Sequence, residues 1–436
     1  MKIEYTAVRE LRPHTNNART HSRKQIQQIA NSIKKFGFCN PVLIDDAKQI
    51  IAGHGRVEAA KQLGIDAVPT CRLSHLSDAD KRAYVLADNK LAEKAGWDRE
   101  LLAIELQGLI ELDVDIELTG FDMAEIDLIL EDAREANGES SGPEDKVPEH
   151  SPGPAVTQSG DLWVLGKHNL LCGDARDQAA YDRLLDGAKS EFVFTDPPYN
   201  VAIDGNVCGL GRVRHREFAM GSGEMSEAEF TAFLQTVFDR LIDNSIDGSI
   251  HQICMDWRHM REMLAAGGKA YSELKNLCVW NKSNAGMGSF YRSKHELVFV
   301  WKSGTAAHIN NFELGQHGRH RANVWDYAGV NTMRAGRLEE LAMHPTVKPV
   351  ALVADAIKDC SRRGGLVLDP FSGSGTILIA AERTGRKARA LEIDPTYVDI
   401  AVRRWQAYTG KPAVLAASGD TFETVEEQRV AKSAAA

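Results

Sequence analysis

The stretch Gly364-Gly365-Leu366-Val367-Leu368-Asp369-Pro370-Phe371-Ser372-Gly373-Ser374-Gly375-Thr376 reads as a buried strand, a glycine loop and the start of a helix. Residues 376–383 are apolar on most faces, and Gly385 can close that helix because glycine adopts the left-handed conformation without steric cost. The next strand, residues 388–393, carries Glu392 roughly 20 positions after the loop, where nucleotide-type folds place a carboxylate for ribose hydroxyls. The loop is neither Gly-x-x-x-x-Gly-Lys nor Gly-x-Gly-x-x-Gly, so a triphosphate or a dinucleotide fits it poorly. A ligand with a ribose and an amino-acid tail fits better.

Upstream, Thr195-Asp196-Pro197-Pro198-Tyr199-Asn200 follows the apolar run Phe192-Val193-Phe194. A carboxylate, two prolines and a ring therefore stand at the mouth of a second buried strand. Asp196 can accept a hydrogen bond from an exocyclic amine. Pro197 and Pro198 lack a backbone N–H and have a fixed φ, so the turn is stiff and its carbonyl is free for a second amine proton. Tyr199 offers a face on which an extruded base can stack.

With both motifs in one chain, residues 160–410 resemble the DNA amino-methyltransferases that use S-adenosylmethionine. Asp196-Pro197-Pro198-Tyr199 is similar to the family's catalytic motif and the Asp369–Gly375 loop to its cofactor motif. The catalytic motif comes first, which is the order of the β group, with the target-recognition segment between the two. The resemblance implies that Asp369, Phe371, Gly373 and Gly375 line the cofactor, with Glu392 on its ribose. Asp174, in Leu171-Cys172-Gly173-Asp174, would meet its adenine. Thr346 and Lys348, in His344-Pro345-Thr346-Val347-Lys348-Pro349, would pack under its methionine end. His295-Glu296 resembles a segment beside the base pocket.

The acceptor atom follows from chemistry. Methylating cytosine C5 needs a cysteine thiolate as nucleophile, whereas an exocyclic amine needs only its lone pair aimed at a sulfonium methyl. The seven cysteines (39, 71, 172, 208, 254, 278 and 360) include no Pro-Cys pair, the usual setting of that nucleophile in the family. Within the amine group the resemblance favours adenine N6 over cytosine N4, which more often has Ser at the head of the motif. A reading of another class, a partition or regulatory protein with a degenerate methyltransferase half, sits poorly with two intact motifs.

The chain has 436 residues, enough for two or three domains, and a net charge of −9. Residues 91–150 hold 18 acidic and 4 basic residues, a local balance of −14 that leaves +5 for the remainder. Positive patches are therefore available to a DNA-binding half. Arg212, Arg214 and Arg216 form one cluster and Arg319 and Arg321 another, both in glycine-rich sequence and both expected on DNA phosphates. No apolar run reaches the roughly 18 residues of a membrane span, and the first residues lack a signal-peptide pattern. The odd number of cysteines without C-x-x-C suggests free thiols in a reducing compartment, and the histidines show no ligand spacing. A cytoplasmic enzyme without a metal is expected.

Residues 1–135 form a unit of their own. An amphipathic helix (Ile26, Ile29, Ile33, Phe36), a strand at 41–44, and Gly53-His54-Gly55-Arg56 opening a helix resemble the N-terminal domain of ParB-type partition proteins and the related sulfiredoxin fold. That resemblance implies a nucleotide-phosphate contact at Gly53 and Arg56, although His54-Gly55 replaces the family's Glu-Arg pair. The alternative is a tight turn with Arg56 paired to an acid from 91–135. No helix-turn-helix is evident after it. Residues 136–158, rich in Gly, Pro and Ser, are expected as a flexible linker, 159–410 as the methyltransferase with 303–343 as target-recognition segment, and 411–436 as a loose tail. The fold class expected is α/β: a Rossmann-like S-adenosylmethionine-dependent methyltransferase sheet with permuted motif order, preceded by a small α+β ParB-like domain. The expected partners are double-stranded DNA and a nucleotide at the N-terminal unit. A second copy of the chain is left open, as is pairing with a restriction nuclease.

Overall fold

The structure, a computed structural model, describes residues 2–15, 17–136, 143–145, 147–148, 153–201, 223–283, 290–315, 319–328 and 347–435. It divides into two compact units, Met1–Gly138 and Glu139–Ala436.

In the first unit, strands β1 (Ile3–Ala7), β2 (Val42–Ile44), β3 (Ile50–Ala52) and β4 (Ala67–Arg72) form a mixed sheet in the order β1-β4-β2-β3. Helix Arg23–Phe36 starts where the Ser22 side chain accepts the Gln25 N–H and stops at Gly37, whose φ of 77° is left-handed. Val42, Ile44, Ile50, Val57, Ala60 and Val68 make the small core beneath it. Helices Arg99–Glu111 and Met123–Ala136 then close on a separate core of Ala103, Leu106, Ile116, Ile126, Ile129 and Leu130. The apolar residues of the acidic second helix thus serve packing; of its carboxylates Asp132 is exposed, whereas Asp127 is buried.

The second unit is built on ten strands: β5 (Leu162–Leu165), β6 (His168–Cys172), β7 (Ser190–Thr195), β8 (Ser245–Met255), β9 (Glu273–Asn281), β10 (His295–Lys302), β11 (Val324–Asp326), β12 (Leu366–Asp369), β13 (Lys387–Glu392) and β14 (Val414–Leu415). Their order is β11-β9-β10-β8-β7-β12-β13-β6-β5-β14. The central run β8-β7-β12-β13-β6 is parallel. Phe192, Phe194 and Val367 face helices Val350–Cys360, Thr376–Thr384 and Pro395–Thr409, while Val193 and Leu368 face helices Gln178–Leu185, Glu227–Asp243 and Met260–Ala270. Burial on both faces explains why these strands are apolar throughout instead of alternating. From β7 the chain moves outward to β8, and from β12 it moves the opposite way to β13. The crevice at the carboxyl ends of β7 and β12 is therefore the topological switch point, the usual ligand position in open α/β sheets.

Two expected features are corrected. Residues 411–436 are not a loose tail: β14 pairs with β5, and helix Phe422–Ala435 buries Phe422 and Val425, with the Phe422 ring 5.1 Å from that of Trp163. Two apolar anchors three residues apart suffice to dock a helix that otherwise reads as polar and alanine-rich. Nor is the described part of 136–158 free. Glu144 pairs with Arg383 at 2.7 Å, Asp145 accepts the Val350 N–H at 2.9 Å, and Asp399 accepts the N–H groups of Val156 and Thr157 at 2.6 and 2.9 Å. Polar contacts and the single buried side chain of Val156 hold this stretch, so its composition did not reveal it.

A testable consequence concerns truncation. A fragment of residues 139–436 should fold and keep ligand binding, whereas one starting at 159 leaves Asp399 without Val156 and Thr157 and strips Arg404 of the Glu144 carbonyl. At about 1–3 kcal/mol for each unsatisfied buried polar group, the shorter fragment should melt several degrees lower in a thermal scan.

Candidate active site

Both sequence motifs reach the switch point. Thr195 ends β7 and its hydroxyl donates to Asp369 Oδ1 at the end of β12, 2.7 Å away. That bond joins residues 174 positions apart and sets Asp196 beside the glycine loop. The Phe371 N–H donates to the same Asp369 oxygen at 3.0 Å, fixing the turn into the loop. Gly375 caps helix Thr376–Thr384 with φ 80°, and a Cβ there would stand 2.8 Å from the Ala401 Cβ. Glycine is required at this position on both counts. Below the loop, buried Arg404 donates to the Ser374 carbonyl and hydroxyl at 3.2 Å and to the Thr376 hydroxyl at 3.1 Å.

Carboxylates ring the loop. Glu392 accepts the Gly373 N–H at 2.8 Å and the Asp394 N–H at 2.9 Å. Burial pushes the carboxyls of Glu392 and Asp369 up to about 7. Asp174, near β13 through the Gly173 N–H to Glu392 carbonyl bond of 2.9 Å, is gripped side-on by Arg176. Among the described residues the buried Ser372 hydroxyl has no hydrogen-bond partner. An acidic rim, an orphan hydroxyl and a loop that only glycine can form fit a ligand with hydroxyls and positive charge, and they repel a polyphosphate.

On the other side of Asp196 lies a buried charge cluster. Tyr199 donates its hydroxyl to Asp196 Oδ1, and the same hydroxyl touches Glu296 Oε1. The Lys348 ammonium bonds Asp196 Oδ2 and sits 3.0 Å from Glu296 Oε1, while Lys282 holds Glu296 Oε2 at 2.9 Å. Two carboxylates thus face two ammonium groups. Burial would raise Glu296, but Lys348 and Lys282 pull it down to about 2. Burial raises Asp196, and Lys348 offsets this only in part. Burial alone would lower Lys348; the two acids outweigh it and hold the ammonium protonated. Asn200, at φ 53°, bonds the Met225 carbonyl at 2.7 Å and the N–H groups of Gly223 and Met225 at 3.2 Å, anchoring the chain that leads into helix Glu227–Asp243. Nearby Cys254 is buried and its thiol is pushed well up, so it is no thiolate nucleophile.

Several expected residues are placed differently. Lys348 puts its ammonium on the Asp196 carboxylate, and its carbonyl accepts from the Thr376 hydroxyl at the start of the glycine-loop helix, 3.5 Å away. Arg319 and Arg321 are not phosphate contacts. Arg319 is 7% exposed and clasps Asp359 at 2.7 and 2.9 Å, and Arg321 bonds the other Asp359 oxygen at 2.9 Å. Acids on helix Val350–Cys360 neutralise both guanidinium groups, which fasten the strand β11 segment. Arg319→Ala should therefore cost about 3 kcal/mol in a urea titration while leaving the salt dependence of DNA binding unchanged. Arg212, Arg214, Arg216 and Thr346 lie outside the described residues. Lys282 was missed by sequence reasoning, because a lone lysine 86 positions from Asp196 carries no local signal. Glu296 was noticed only through the His295-Glu296 pair.

In the first unit, Gly53 has φ 102°, and a Cβ on it would lie 3.0 Å from Arg56 Nε and Nη2, so the guanidinium folds over the turn. Among the described residues Arg56 makes no ion pair, so the expected alternative of an acid from 91–135 is not what is observed; burial lowers it and the charge of Asp88 opposes this. His54 accepts the His14 N–H at 3.2 Å. Among the described residues no group of three or more His, Cys, Asp or Glu could hold a metal ion, and no helix is long and apolar enough to cross a membrane.

A parallel sheet that brings the Asp196 carboxylate and the glycine loop side by side at the switch point is an α/β arrangement suited to a nucleotide-like ligand. Residues 191–403 match the DNA methylase family, 1–90 the ParB N-terminal domain and 100–159 the ParB-methyltransferase helix-turn-helix domain. The chain thus carries a DNA methylase domain of the N6/N4 type behind a ParB-like N-terminal part. The helix-turn-helix match overturns the expectation that none follows the first domain, and it takes in the stretch read as linker. The ParB-like nuclease domain-containing protein YnaK of Escherichia coli is 54% identical over 82 residues, 19% of this chain and 94% of YnaK. Type II methyltransferase M2.MboI of Moraxella bovis is 24% identical over 233 residues, 50% of this chain and 81% of that protein. DNA adenine methyltransferase YhdJ of E. coli is 39% identical over 88 residues, 20% of this chain and 29% of YhdJ.

Proposed function

We propose that the protein transfers a methyl group from S-adenosylmethionine to the N6 amine of adenine at specific sites in double-stranded DNA. The observation that carries this is the bond between Thr195 and Asp369, which sets a carboxylate for an amine beside a loop for a cationic, ribose-bearing ligand. Bound S-adenosylmethionine supplies an electrophilic methyl on a sulfonium. The rest is the work of the chain. Asp196 and the Pro197 carbonyl accept hydrogen bonds from the two amine N–H groups, which favours a pyramidal nitrogen with its lone pair free, and Pro198 keeps the turn stiff. As the N–CH3 bond forms the S–CH3 bond breaks, the thioether leaves and one proton of the nitrogen passes to solvent. The Tyr199 ring stacks on the extruded base. Catalysis is then positioning and fixed electrostatics. Glu392 takes the ribose, Asp174 the adenine of the cofactor, and Asp369, Phe371, Gly373 and Gly375 line its seat, with Thr346 at the methionine end. Arg212, Arg214 and Arg216 contact DNA phosphates. Gly53 and Arg56 hold a nucleotide phosphate at the N-terminal unit.

The Asp at the head of the motif and the likeness to an adenine methyltransferase support N6 over N4. Mass spectrometry of nucleosides from DNA treated with the protein and S-adenosylmethionine should show N6-methyladenine. N4-methylcytosine would change the base and keep the mechanism; 5-methylcytosine would overturn both.

The Glu392 carboxyl also gives a pH prediction. Its folded value of about 7 lies above the ordinary carboxylate value of 4.5. Its contribution to stability is therefore full below about 4.5 and is lost as pH rises through about 7, because the unfolded chain ionises freely while burial disfavours the carboxylate in the fold. Cofactor binding uses the ionised form and should run the other way, weakening about tenfold for each pH unit below about 7. Calorimetry between pH 5.5 and 8 should show this slope, and Glu392→Gln should flatten it.

A further inference from the structure

Phe290 and Tyr291 are 87% and 86% exposed, with ring centroids 4.5 Å apart and planes inclined by 62°. Two adjacent aromatic rings in water leave large apolar faces unburied. Such rings on a folded chain mark a surface that becomes covered. They sit in the connection between β9 and β10, closed at its base by the Lys282 N–H bonding the Lys294 carbonyl at 2.8 Å. That base adjoins the catalytic cluster directly: Lys282 and Glu296, on either side of the closure, are ion-paired at 2.9 Å, and Glu296 meets Tyr199 and Lys348. From Lys282 to His295 the sequence contains Lys282, Arg292 and Lys294 and no acid. The rings are thus presented on a cationic arm rooted beside the pocket for the extruded base.

We propose that Phe290 and Tyr291 are a wedge that enters the DNA duplex and fills the gap left when the target nucleotide swings into the site at Asp196. This rests on the proposed DNA-methyltransferase reading. Aromatic faces stack on any base, and apolar side chains inserted between base steps are a recurrent means of holding a distorted duplex. Extrusion costs a few kcal/mol, so a group that replaces the lost stacking lowers its cost. Arg292 and Lys294, which follow the two rings, suit the flanking phosphates. A protein or a second copy of the chain would be recognised by other means and is tested below.

The experiment uses the full chain carrying Phe290→Ala and Tyr291→Ala together, with S-adenosylmethionine. Two duplexes contain the methylated site mapped from the wild-type product: one fully paired, the other with an abasic position opposite the target base. On the paired duplex the single-turnover rate should fall about ten- to a hundredfold, as expected from losing one or two base–aromatic stacks. On the abasic duplex, where the target base is already unpaired, the loss should be under about threefold. Cofactor affinity by calorimetry should match the wild type, since both residues are at the surface. Equal losses on the two duplexes, or none on either, would overturn the wedge while leaving the methyltransferase reading intact. A change in oligomeric state by light scattering, with equal losses, would make this a protein contact and also overturn it. Failure of the wild type to methylate DNA at all would sink the underlying reading and the wedge with it.

Discussion

Asp196→Ala should bind S-adenosylmethionine within about threefold of the wild type and lose methyl transfer by about a thousandfold or more. The carboxylate faces Tyr199 and Lys348, whereas the loop contacts of Glu392 and Asp369 do not depend on it. The fold should survive, because Lys348 keeps Glu296 as its counter-ion at 3.0 Å and is not left as a lone buried charge. Calorimetry with S-adenosylmethionine and a tritium-transfer assay on DNA check the two halves of this expectation. Near-normal turnover would remove Asp196 from the chemistry.

Lys348→Met should have the next largest effect, and its signature is in pH as much as in rate. Without the ammonium, Asp196 and Glu296 are two buried carboxylates touching one phenol, which has a single proton to give. One of them must then take up a proton at neutral pH, since like charges at this range disfavour double ionisation. Asp196, already raised by burial, is the one to do so, while Glu296 retains Lys282. A protonated Asp196 is a poorer acceptor for the target amine. The rate at neutral pH should drop by about a hundredfold, and the acid limb of the pH–rate profile should move to higher pH. Arginine should restore the limb more than methionine does, although its fork will not reproduce the geometry. A profile parallel to the wild type would mean that Lys348 only fills space.

How far the sequence alone reaches is visible residue by residue. Asp196-Pro197-Pro198-Tyr199, the Gly373-Ser374-Gly375 loop and the Gly385 cap are local events, each decided within a few residues by φ restriction, missing N–H groups or the absence of a Cβ. These could be read directly, and so could the order of the two motifs, while the Rossmann-like sheet followed from the family resemblance they carry. What could not be read depends on which distant segments meet. Glu296, Lys282 and Lys348 lie 100, 86 and 152 positions from Asp196, and nothing in their neighbourhoods announces a shared cluster. Arg319 and Arg321 looked like phosphate contacts because two arginines in a glycine-rich stretch are bare charge until their partners are known; Asp355 and Asp359, on a helix 30–40 residues away, decide otherwise. The C-terminal helix and the acidic stretch before β5 looked loose because a handful of well-placed contacts, invisible to composition, hold them. Local stereochemistry thus dictated the turns, caps and strands of this protein, while the ionisation and orientation of its central carboxylate were decided only when folding brought four charges into one dry volume, where each depends on the others.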